Sequence, residues 1–101
     1  FPGNVIICAH WGGGLPFYSL MPEVKESLKN VYFDSAATPF LYRPEVFGAV
    51  SELAGAGKVL FASDFPLVSQ KRALDEFGQS GLDAEQSSLV RGENASKLLG
   101  L

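Results

Sequence analysis

The chain has 101 residues, of which 47% are hydrophobic and 19% charged, a globular composition for one small domain and not a disordered segment. Its net charge of −3, with scattered Lys and Arg, gives no electrostatic reason to expect nucleic acid or an anionic membrane surface. A single cysteine excludes an intrachain disulfide framework, and the longest apolar run, Val5–Ala9, is far too short to cross a bilayer.

In chain order, Val5-Ile-Ile-Cys-Ala9 is an apolar, β-branched run that reads as a strand buried on both faces. It ends at His10 and Gly12-Gly13-Gly14. Cys8 within it reads as a small buried hydrophobe, which fits a reducing compartment, and the expected location is cytoplasmic. Pro22–Leu28 is a helical pattern with Pro in its first turn. Val31-Tyr-Phe33 is a second strand, closing at Asp34 and Ser35. Pro44–Ala54 is a second helix, with Val46, Phe47, Val50, Leu53 and Ala54 on its apolar face. Lys58-Val-Leu-Phe-Ala62 is a third strand, closing at Ser63 and Asp64. Ser69 is placed to cap a helix over Gln70–Phe77, and Asp83 with Gln86 makes a capping box for Ala84–Arg91. A last helix spans Glu93–Leu99 and stops at Gly100.

The strands recur at about 30 residues, the length of a βα unit, so they are expected to be parallel with helical crossovers in one α/β domain over 1–101. Three such strands cannot close a barrel, and both sheet edges are expected to be open and apolar.

Chemistry in α/β sheets and barrels sits at the C-terminal ends of the strands. All three strands end in reactive polar residues: His10, Asp34-Ser35 and Ser63-Asp64. The first and third strands are alternate strands, so His10 and Asp64 are candidates for one site. Each has a plainer reading, a structural histidine and a turn-capping aspartate. The glycines Gly12–Gly14 either expose N–H groups to an anion or only permit a tight turn. Trp11, Phe17 and Tyr18 either line a pocket or pack a loop. A Ser-His-Asp triad is disfavoured because no G-x-S-x-G elbow is present.

Ala9-His-Trp-Gly-Gly-Gly-Leu-Pro-Phe17 resembles the strand-6 segment of the amidohydrolase-2, or amidohydrolase-related, family. Asn30–Ser35 is similar to its strand 7, Lys58–Pro66 with Ser63-Asp-Phe-Pro66 to its strand 8, and Glu93–Leu101 to its terminal helix. The resemblance covers essentially the whole chain in order. It implies the C-terminal part, strands 6–8 plus helices, of a (β/α)8 TIM barrel. It implies a metal-dependent hydrolase or nonoxidative decarboxylase acting on a small carboxylated or carbonyl-containing substrate. By the same resemblance Asp64 binds a divalent metal, expected to be zinc, and can take a proton from metal-bound water. His10 acts beside the metal in acid/base work, or ligates it.

The family's His-x-His on strand 1 and its strand-5 histidine have no counterpart here, since His10 is the single histidine. One carboxylate and one imidazole fall short of the usual three protein ligands of a catalytic zinc. The expectation is therefore a fragment that is inactive alone and that self-associates or pairs with an N-terminal part. The competing expectation is a non-catalytic α/β assembly module. A third is a small phosphate binder using Gly12–Gly14.

Overall fold

The computed structural model describes residues 5–63 and 68–100. Three parallel strands, β1 (Ile6–Cys8), β2 (Val31–Asp34) and β3 (Val59–Leu60), form one sheet in the order β1-β2-β3. Cys8 lies beside Phe33, and Phe33 beside Val59. The strand order follows the chain order, and both pairings are parallel, as the βα rhythm of the sequence implies. Helices α1 (Pro22–Ser27) and α3 (Val46–Ala54) lie in the crossovers. A short α2 (Thr38–Leu41) sits between β2 and α3. After β3 come α4 (Gln70–Gly78), α5 (Ala84–Ser88) and α6 (Asn94–Leu99).

The core lies between the sheet and the helices. Phe33 and Val59 point into it from the sheet, and Phe47 and Val50 from α3, all four buried. Aromatic rings run through it edge to face. Trp11 meets Phe47 at 5.0 Å, Phe47 meets Phe77 at 5.0 Å, and Phe77 meets Phe61 at 5.5 Å. Burying one such side chain contributes about 1.5–3 kcal/mol, so this row carries much of the tertiary stability.

The caps expected from the sequence are present. Ser69 Oγ accepts the Arg72 N–H at 3.1 Å. Asp83 Oδ1 accepts the Gln86 N–H at 2.8 Å, while Gln86 Oε1 accepts the Asp83 N–H at 3.2 Å.

Several expectations are corrected. β1 is not buried on both faces: Ile6 and Ile7 are each 49% exposed, because β1 is a sheet edge with only partial cover. Cys8 within it is half-buried. Lys58 belongs to a 3-10 turn, Ala56–Lys58, and not to β3.

The other edge, at β3, was also expected to be open, and it is covered. Leu89–Glu93 is a turn of π-helix linking α5 to α6, in which the Asn94 N–H reaches back to Leu89 O. That wider spacing leaves Val90 O available, and it accepts the N–H of Phe61 at 3.0 Å. The Asn94 side chain donates to Ala56 O at 2.6 Å and Val59 O at 2.8 Å, fastening α6 to the start of β3.

Candidate functional site

His10 sits where the sequence puts it, just past the C-terminal end of β1, and it is exposed. Its backbone is unexpected. His10 (φ 53°) and Trp11 (φ 63°) are both left-handed, and Gly12 continues at φ 68°. A left-handed conformation costs an L-residue about 1–2 kcal/mol, and for a bulky residue such as Trp it is a clear outlier. Among the described residues the other non-glycine with positive φ is Ala37, just beyond β2. Strain is thus gathered at one end of the sheet, the end where α/β proteins do chemistry.

Hydrogen bonds hold this corner. Asp34 Oδ1 accepts the His10 N–H at 3.0 Å and the Ala36 N–H at 3.1 Å. The Gly12 N–H returns to Ala9 O at 2.9 Å. A Cβ at Gly12 would meet the Phe33 ring at 3.0 Å, so both the turn and the packing demand glycine there.

Trp11 packs into the core. It is 1% exposed, and its Nε1–H donates to Thr38 Oγ1 at 3.0 Å. Thr38 Oγ1 donates in turn to Ser35 O. Phe17 and Tyr18, by contrast, are exposed and meet each other edge to face.

The end of β2 also grips the end of β3. The Ser35 N–H donates to Leu60 O at 2.9 Å, and the buried Ser35 hydroxyl takes the Ala62 N–H at 3.0 Å and donates to Ala62 O at 3.3 Å. The Ala37 N–H reaches Ser63 O at 3.3 Å. Asp64 follows directly in sequence and lies outside the described residues. One polar network therefore runs across the ends of all three strands, from the His10 corner through Asp34, Ser35 and Thr38 to Ala62 and Ser63.

Asp34 and Ser35 were visible in the sequence as strand-end polar residues, but nothing there assigned them a task. Thr38 gave no signal, because its partner indole is 27 positions away.

The donor set does not complete a metal site. Among the described residues no group of three or more His, Cys, Asp or Glu side chains converges. His10 and Asp64 together fall below the usual three ligands.

A concavity of about 470 Å³ lies at the opposite end of the sheet, between α1 and α3, lined by residues including Lys25, Lys29, Phe33 and Lys58. Two of its lysines are engaged: Lys29 pairs with Glu26 at 3.6 Å, and the Lys58 ammonium lies over the Tyr32 ring at 4.5 Å and donates to Lys29 O. Desolvation by burial lowers the Lys58 pKa from its ordinary value.

Comparison with known proteins decides the family. The amidohydrolase family model matches residues 1–101. The chain belongs to the amidohydrolase family. It is 37% identical over 82 residues to a 6-methylsalicylic acid decarboxylase from Penicillium expansum, an alignment covering 65% of this chain and 24% of that protein. Among solved structures, a dihydroxybenzoic acid decarboxylase from a Polaromonas species, with bound manganese and the inhibitor 2-nitroresorcinol, superposes with a TM-score of 0.85 at 20% identity, over 100% of this chain and 35% of that one. A 5-carboxyvanillate decarboxylase from Sphingomonas paucimobilis superposes with a TM-score of 0.85 at 18% identity, again over 100% of this chain and 35% of that one. The chain thus spans about a quarter of the curated relative and about a third of the solved structures. Those structures are TIM-barrel proteins of the amidohydrolase fold. Among the described residues, no helix is long and apolar enough to cross a membrane.

Proposed function

We propose that this chain is the C-terminal third, strands 6–8 with their helices, of a (β/α)8 barrel that decarboxylates a hydroxylated benzoate without oxidation. The observation that carries the reading is the His10 corner: an exposed imidazole on strained backbone, at the chemical end of a parallel sheet, tied across to the next strand by a carboxylate. The relatives narrow the chemistry. Those named above are decarboxylases of hydroxylated or alkoxylated benzoates by name.

In that reaction the bond between ring carbon and carboxylate breaks, its electron pair stays on the ring, and CO₂ leaves. A proton takes its place on the ring carbon. His10 is proposed as the residue that holds and delivers this proton, since an imidazole nitrogen can both bind a proton and give it up. Asp64 is proposed as a ligand of a divalent ion whose other ligands come from outside these 101 residues. The manganese in the Polaromonas structure supports a divalent ion without favouring zinc. When bound, such an ion neutralises and orients a substrate carboxylate.

The incomplete donor set makes it part of this proposal that the chain alone does not turn over. The exposed Ile6–Ile7 edge makes it part of the proposal that β1 pairs with another strand, from an N-terminal part or from a second copy. An assembly module without catalysis is the second reading, favoured by the same shortage of ligands.

The test uses the active protein and a panel of hydroxybenzoates, with CO₂ release as the readout. His10→Asn is expected to abolish release, and Asp64→Asn to lower bound metal. Metal content unchanged by Asp64→Asn would remove its ligand role. No CO₂ from any hydroxybenzoate would leave the assembly reading.

A further inference from the structure

We propose that Asp34 is the positioning residue of the site: its carboxylate fixes the main chain of His10 and thereby aims the imidazole. This rests on His10 being the proton-handling residue. A single oxygen, Oδ1, receives two N–H groups, from His10 at the end of β1 at 3.0 Å and from Ala36 just past β2 at 3.1 Å. It therefore locks two adjacent strand ends to each other.

The residue it holds needs holding. His10 and Trp11 are left-handed without being glycine, a conformation that persists only where the surroundings over-determine it. Trp11 is secured on its own account by burial, by Phe47 and by Thr38. Gly12 is secured by Ala9 O. The Asp34 carboxylate acts on the His10 main chain itself, through the His10 N–H.

Backbone φ sets the direction of Cα–Cβ, so losing that acceptor lets His10 relax toward negative φ and swings the imidazole away. The contact needs an acceptor oxygen and not a charge. Asparagine at position 34 supplies one in the same place; alanine supplies none.

The chain offers an internal reporter, because Trp11 is its single tryptophan and adjoins His10. In this chain, Asp34→Ala is expected to shift Trp11 emission to the red as the corner opens, and Asp34→Asn to leave it in place. In the active protein, Asp34→Ala is expected to lower kcat by about 100-fold, the scale of a misplaced catalytic group, with KM little changed. Asp34→Asn is expected to recover most of that rate.

Unchanged emission and unchanged kcat in Asp34→Ala would overturn the proposal. If Asp34→Ala does not fold, Asp34→Asn decides: a folded Asn variant with kcat lost as deeply as in His10→Asn would show a role for the charge and overturn positioning. Full activity in His10→Asn would remove the proton-handling reading instead, while the emission shift would still report the Asp34 contact.

Discussion

The two edges of the sheet differ sharply. At β3, the chain closes its own edge: Val90 O takes the Phe61 N–H, and Asn94 binds Ala56 O and Val59 O. At β1, Ile6 and Ile7 stand half-exposed. The difference identifies the π-turn after α5 as a sheet-capping device, and the exposure at β1 supports the proposal that a further strand pairs there. The candidate site lies across the strand ends between these edges. It is anchored through Ser35 to the closed side and presents His10 on the open one.

The strongest challenge to the closed side is the core beneath it. Phe47→Ala removes the ring that joins Trp11 to Phe77, and a loss of about 3–5 kcal/mol is expected by chemical denaturation. A loss below 1 kcal/mol would mean that the aromatic row does not hold α3 to the sheet.

A smaller effect is expected from Asn94→Ala. It leaves Ala56 O and Val59 O without their side-chain donor, at a cost of about 1–3 kcal/mol. Amide hydrogen exchange of Phe61 should rise with it, since α6 then holds the π-turn less firmly. Exchange unchanged at Phe61 would show that the edge cap does not depend on Asn94.

The smallest effect on stability belongs to the open side. Ile7→Lys, on a half-exposed edge position, should change unfolding free energy by no more than about 0.5 kcal/mol. Its expected effect is on association: a lysine on a strand edge opposes edge-to-edge pairing, so sedimentation should show a shift toward monomer. A chain that is already monomeric at micromolar concentration would show that β1 does not recruit a second copy.

How far the sequence reached can be judged residue by residue. The β-branched runs, the βα spacing and the Ser69 and Asp83 caps were legible, because each is a local signal with a local cause. The place of His10 at a strand end was legible for the same reason. Its left-handed backbone was not: non-glycine residues rarely adopt it, and the Asp34 carboxylate that receives its N–H lies 24 positions away. The burial of Trp11 was equally hidden, since an aromatic beside glycines packs or lines a pocket according to what faces it.

By itself, then, the sequence determined the α/β class, the order of strands and helices, and which polar residues stand at strand ends. These follow from periodicity, propensity and capping, which act over a few residues. Only the tertiary structure decided that Asp34 and Ser35 fasten the strand ends together, that one sheet edge is capped and the other left open, and that Trp11 belongs to the core. Those outcomes depend on hydrogen bonds and packing between residues 24 to 38 positions apart, which no local pattern can specify.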